Sequence, residues 1–129
     1  MIVDTSAIVA IIGREDDARR FLRAISAADG IAISAATLVE AAMVLEARGG
    51  PELGAQMDAL MRRMQAIVVP VTETQALLAR EGWRRFGKGR HKAGLNLGDC
   101  FAYALAIERD EPLLFKGDDF AQTDVKRAL

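Results

Sequence analysis

A single cysteine and a single histidine among 129 residues leave this chain without the materials for several chemistries. A lone Cys100 cannot close an internal disulfide, and His91 has no second soft ligand beside it with which to build a zinc site. Aromatic residues make up only 5% of the chain. No apolar run reaches the roughly 20 residues needed to cross a bilayer, because Arg14, Glu15 and Asp16 cut the longest early one. The opening MIVDTSAIVAII lacks a basic leader and a small-residue cleavage site, so a secretory signal is not expected and a reducing cytoplasm is the expected home. Neither sign of charge is in excess, since 17 basic and 18 acidic residues give a net −1. A global field drawing in nucleic acid is therefore excluded.

What is present is a composition of 51% hydrophobic and 27% charged residues, which suits one compact domain over residues 1–129 that needs no disulfide or metal merely to fold. Short apolar runs (Ile2-Val3, Ile31 to Ile33, Ile67 to Val69, Leu113 to Phe115) alternate with longer stretches of helical spacing. That alternation is the α/β pattern. Continuous apolar strands predict a mainly parallel central sheet buried on both faces and flanked by helices. Helices are expected over Ser6 to Ile12, Asp16 to Ala27, Ala35 to Arg48, Pro51 to Met64, Thr72 to Phe86 and Leu97 to Arg109. Gly49-Gly50 followed by Pro51 predicts a hairpin between the third and fourth of them. Met57, Met61 and Met64 form a stripe along the fourth, for the core or a dimer interface.

In open α/β sheets ligands bind at the carboxyl ends of the strands, so acids there are candidate site residues. Asp4 directly follows the first strand, where it also suits a helix N-cap. Glu40 lies in SAATLVEAAMVLEA with apolar neighbours at helical spacings and no complementary charge on that face. An ionised carboxylate in such surroundings costs several kcal/mol unless it is paired, solvated or bound to a metal. Asp99 opens the apolar stretch NLGDCFAYALAI, where Asn96 and Asp99 also have capping-box spacing. Asp118 and Asp119 follow the last strand, where a Gly-Asp turn is the ordinary reading. One oxygen-only metal site accounts for all of these acids together. It favours Mg²⁺, with Mn²⁺ able to substitute, over zinc. Such a metal suits phosphodiester chemistry, because it activates a water and stabilises both the attacking and the leaving oxygen.

Four strings in this order, MIVDTSA, ATLVEAAMVLE, GLNLGDCFAYALA and LLFKGDDFAQTDV, resemble the PIN-domain ribonucleases, and among them the VapC toxins of bacterial type II toxin-antitoxin pairs. The resemblance spans nearly the whole chain. It implies a PIN fold, a Mg²⁺-dependent endoribonuclease acting on RNA, a cognate VapB-like antitoxin and a homodimer. Carried over residue by residue, it makes Asp4, Glu40 and Asp99 the metal and catalytic acids. Asp119 becomes a fourth catalytic acid by its place before Phe120, with the adjacent Asp118 as the alternative. Gly117 stands where many PIN domains carry an acid or Asn. Thr5 or Ser6 resembles the hydroxyl that supports the first Asp.

The segment WRRFGKGRHKAGLN carries Arg84, Arg85, Lys88, Arg90 and Lys92 with no acid between Gly82 and Gly98. Phosphate contacts from such a segment would supply RNA affinity without sequence information. Trp83 and Phe86 within it are expected in the core, His91 in a loop facing RNA or solvent, and Cys100 as a buried small hydrophobe. A phospho-acceptor signalling domain is the alternative from another class, with Lys116 in place of its lysine. It would require an Asp after a middle strand, and neither Ile31 to Ile33 nor Ile67 to Val69 is followed by one. A catalytically silent PIN-like RNA-binding module is a further alternative.

Overall fold

The computed structural model describes all residues, Met1–Leu129. Strand β1 (Ile2–Val3) leads into helices α1 (Thr5–Ile12) and α2 (Ala18–Ala27); β2 (Ala32–Ser34) into α3 (Ala35–Gly49) and α4 (Pro51–Arg63); β3 (Ile67–Val69) into α5 (Glu73–Phe86) and α6 (Leu97–Arg109). Strand β4 (Leu113–Leu114) and a short 3₁₀ turn, Phe120–Gln122, follow. The four strands form one sheet in the order β3-β2-β1-β4. Every pairing is parallel, with Ile2 opposite both Ala32 and Leu113.

The register sorts side chains between two layers, because successive strand residues point to opposite faces. Ile2, Ala32 and Leu113 join the core under α5 and α6, with Tyr103, Leu105 and Phe120. Val3, Ile33 and Leu114 join the core under α1 to α4, with Ile8, Phe21, Leu45 and Met57. The sheet is thus covered on both faces where β1, β2 and β4 lie. The edge strand departs from that expectation: Ile67 and Val68 are 61% and 45% exposed. Only one neighbour pairs with β3, so its apolar run reads like a buried strand without becoming one.

The expected helices form with ends shifted by at most two residues, and α6 with none. The α3–α4 hairpin turns at Gly50, whose φ of +74° lies in the region that favours glycine. Met57 is buried, and Met61 and Met64 pack partly buried against the same core, so this stripe belongs to the interior. Trp83 is a correction. The last turn of α5 holds its ring at the surface, 42% exposed, under the Arg90 guanidinium 4.1 Å from the ring centroid, while Phe86 goes inward as expected. No helix is long and apolar enough to cross a membrane.

Candidate metal centre

The order β3-β2-β1-β4 places the reversal of chain direction across the sheet between β1 and β4, where a crevice opens at the carboxyl ends of parallel strands. Asp4 stands there as the first residue after β1. It is also the N-cap of α1: its Oδ2 accepts the Ser6 backbone N–H at 2.8 Å and the Ser6 hydroxyl at 2.5 Å. The Ser6 oxygen in turn accepts the Lys116 N–H at 2.9 Å, which ties the end of β4 to the start of α1. Asp4 is buried, and its other oxygen, Oδ1, has no hydrogen-bond partner.

Glu40 reaches the same crevice from α3, where its Oε1 accepts the Thr5 hydroxyl at 2.5 Å. Opposite, α6 leaves room for it. A Cβ placed on Gly98 would stand 1.6 Å from Glu40 Oε2, so the carboxylate occupies the space a side chain would take. Asp99 comes next on α6. Its capping box with Asn96 is complete in both directions, each bond 2.9 Å. The ordinary capping roles of Asp4 and Asp99 and their places in the crevice therefore coexist, because each cap leaves an oxygen free of it.

Together Asp4, Thr5, Ser6, Glu40, Asn96 and Asp99 line a cleft of about 400 Å³, which Glu15, Arg48 and Lys116 also border. Electrostatics reflects the crowding. Burial pushes the Asp4 carboxyl up, against the pull of the Ser6 hydrogen bonds, and Glu40 adds to the rise. Burial pushes Asp99 up to about 6 against the pull of the Asn96 N–H, and the charges of Asp4, Glu40 and Asp119 add to the rise. Of the two terminal acids, Asp119 is the one whose charge reaches Asp99. Asp118 borders a separate hollow with Arg20 and Arg127.

The side chains as placed do not converge on a ready-made set of three acidic, His or Cys ligands. Glu40 is held by the Thr5 hydroxyl and Asp99 by the Asn96 N–H. The donors nonetheless suit a hard divalent cation: they are all oxygen, burial holds the Asp4 and Asp99 carboxyls above their ordinary range, and Asp4 Oδ1 is buried with nothing to satisfy it.

The predicted basic segment lies elsewhere. None of Arg84, Arg85, Lys88, Arg90 and Lys92 borders the acidic cleft. Arg84 pairs with Glu81, Arg85 with Asp124 at 2.8 Å, and Arg90 covers Trp83. His91 Nδ1 accepts the Ala93 N–H at 3.0 Å and its ring meets Phe86 edge-on, so it pins the loop. Burial pushes the Cys100 thiol up to about 11, which leaves it protonated and unreactive. Of the cations that do border the cleft, Arg48 carries no signal in the sequence and Lys116 stands out only in the phospho-acceptor alternative. Lys116 Nζ pairs with Glu15 and, at 3.9 Å, with Asp17.

The chain matches the family model of the PIN domain over residues 1–126. It is 51% identical to VapC ribonuclease Mb0625 of Mycobacterium bovis over 130 residues, covering 100% of this chain and 98% of that protein. It is 46% identical to ribonuclease VapC of Mycolicibacterium smegmatis over 125 residues, with 97% of each covered. Among solved structures, the sarcin-ricin loop cleaving toxin VapC20 of Mycobacterium tuberculosis superposes with a TM-score of 0.78 at 19% identity, covering 96% of this chain and 95% of that one. A toxin-antitoxin complex from Klebsiella pneumoniae superposes with a TM-score of 0.72 at 15% identity, covering 95% and 92%. With the acids at its strand ends and relatives matched over their full length, the chain belongs to the PIN-domain family and, within it, to the VapC proteins.

Proposed function

We propose that this protein is a Mg²⁺-dependent endoribonuclease and the toxin of a VapBC-type pair. The observation that carries the reading is the buried, unpartnered Asp4 Oδ1 in a cleft shared with Glu40 and Asp99. Asp4, Glu40 and Asp99 hold the metal, with Asp119 near enough to act on Asp99 through its charge. An ion held there would lower the pKa of a water and neutralise charge on the phosphate. The chain's own groups do the rest. Ser6 fixes the rotamer of Asp4 through Oδ2, Thr5 holds Glu40, and the Asn96 cap orients Asp99. Lys88 and Lys92, exposed in the loop after α5, offer RNA a basic approach outside the cleft.

Two surfaces suit the partners this reading requires. An apolar groove between α1, α2 and α4, lined by Ile11, Ile12, Leu22, Ile25, Leu60 and Met64, fits an amphipathic helix of a VapB-like antitoxin. A basic side chain on the same partner would satisfy the crowded carboxylates in place of the metal. Exposed Val39 and Met43, four residues apart on α3, together with Leu97 at the start of α6, form apolar surface suited to a homodimer. The test is to map new RNA 5′ ends in cells producing this chain with and without the short protein encoded beside it. Discrete new ends that vanish on co-production are expected. Unchanged RNA would count against the reading, and so would ends that persist with the neighbour present.

A further inference from the structure

Along α3, three residues at intervals of four line the acidic cleft: Glu40, Val44 and Arg48. Residues so spaced share a helix face, so the last turn of α3 carries Arg48 onto the same wall as the metal-binding Glu40. The two positions are roughly 12 Å apart along the axis at 1.5 Å per residue.

The two cations of the cleft are not equivalent. Lys116 is neutralised by Glu15 and Asp17. Arg48 takes part in none of the ion pairs of the molecule, although its cleft contains Asp4, Glu15, Glu40 and Asp99. An Arg in a last turn favours the helix dipole wherever it points. That alone does not place it on the wall of the one cleft where a polyanion must enter against four carboxylates. A guanidinium presents a planar fork that matches two phosphate oxygens, and it stays charged at every working pH.

We propose that Arg48 binds a phosphate of the RNA backbone next to, but not at, the bond that is cut, and so sets how the strand lies across the cleft. The proposal rests on the ribonuclease reading and adds a substrate-positioning residue to it. The separation from Glu40 is longer than one nucleotide step. Arg48 therefore engages only substrates that extend beyond the two nucleotides flanking the cut. It contacts neither the metal nor the reacting atoms, so its removal acts on KM rather than on kcat.

The test compares the parent chain with Arg48→Gln and Arg48→Lys on a short RNA oligonucleotide and on the dinucleotide containing its cleavage site. For Arg48→Gln on the oligonucleotide, KM is expected to rise about tenfold with little change in kcat, and Arg48→Lys to fall between. The parent-to-variant ratio of kcat/KM should collapse toward one on the dinucleotide. In a cleavage-dead Asp99→Asn background, Arg48→Gln should lower the dependence of RNA binding on log salt by about 0.7, the loss of one phosphate contact on a single strand. A parent chain that cuts RNA alongside an Arg48→Gln variant with unmoved KM and salt dependence overturns this assignment alone. An equal loss on both substrates also overturns it, because it would place Arg48 at the reacting phosphate or in the fold. A parent chain that cuts no RNA overturns the ribonuclease reading and Arg48's role with it.

Discussion

Ser6 donates twice to one oxygen of Asp4, through its backbone N–H at 2.8 Å and its hydroxyl at 2.5 Å, and so leaves the other oxygen buried and unpartnered. The cap of α1 and the orientation of the carboxylate proposed to bind the metal are thus the same pair of hydrogen bonds. Ser6→Ala keeps the backbone bond but frees the rotamer and deprives the Lys116 N–H of its acceptor. Losing such a support costs about 10- to 100-fold in metal affinity and about 1 kcal/mol of stability. Calorimetric Mg²⁺ titration and a thermal melt of the variant read the two effects separately.

Asp99 predicts a pH dependence with a definite sign. Its folded pKa is raised to about 6 from an ordinary 3.8, so the fold favours the protonated acid. The metal-free protein gains stability from this group as pH falls through about 6 and loses it as pH rises. Metal binding needs the ionised form, so Mg²⁺ affinity and cleavage should decline below about pH 6. Asp99→Asn removes the penalty while an amide oxygen can still accept the Asn96 N–H. After allowance for partial exposure, the metal-free variant should be about 1 kcal/mol more stable at pH 7. That corresponds to a Tm rise of roughly 3 °C. Melts of both proteins should draw closer from pH 7 to pH 5 and converge only below the ordinary 3.8.

Gly98→Ala tests the close approach between α6 and Glu40. Alanine favours a helix over glycine by up to about 1 kcal/mol, yet its Cβ would collide with Glu40 Oε2. Glu40 must then swing away from Thr5. Helical circular dichroism should stay unchanged while cleavage falls at least tenfold, an outcome opposite to what helix propensity alone predicts.

The adjacent acids of the last motif separate by their surroundings. Asp119 acts on Asp99 through its charge, whereas Asp118 borders a hollow with Arg20 and Arg127. Asp119→Asn should lower the pKa of Asp99 and reduce cleavage. Asp118→Asn should change neither. Titration of the Asp99 carboxyl by NMR in each variant distinguishes them independently of activity.

The acids were legible in the sequence because a carboxylate among apolar neighbours demands an explanation that few structures supply. Glu40 within ATLVEAAMVLE is the clearest case, and its crevice partners Asp4 and Asp99 each follow a strand or open a helix. The basic residues were read less well. Charge density in WRRFGKGRHK points to a segment that borders no part of the cleft, while Arg48 carries no signal of its own and Lys116 stands out only in the phospho-acceptor alternative. Only the packing of α3 against α1 and α6, beside the end of β4, gives those two their place. Two apolar signals misled for a shared reason. The run Ile67 to Val69 and the ring of Trp83 are hydrophobic, but an edge strand and the last turn of a helix leave them at the surface. Periodicity records what a residue prefers, not whether a neighbour arrives to cover it.

On this reading Asp4, Glu40 and Asp99 hold a divalent ion with which the chain cuts RNA. The most direct measurement follows end-labelled RNA incubated with the purified chain in Mg²⁺, in Mg²⁺ with excess chelator, and with Asp4→Asn in place of the parent. The account predicts discrete internal cuts by the parent in Mg²⁺ and none in the other two, with Asp4→Asn still folded. Cutting that survives the chelator, or that Asp4→Asn retains in full, would contradict it.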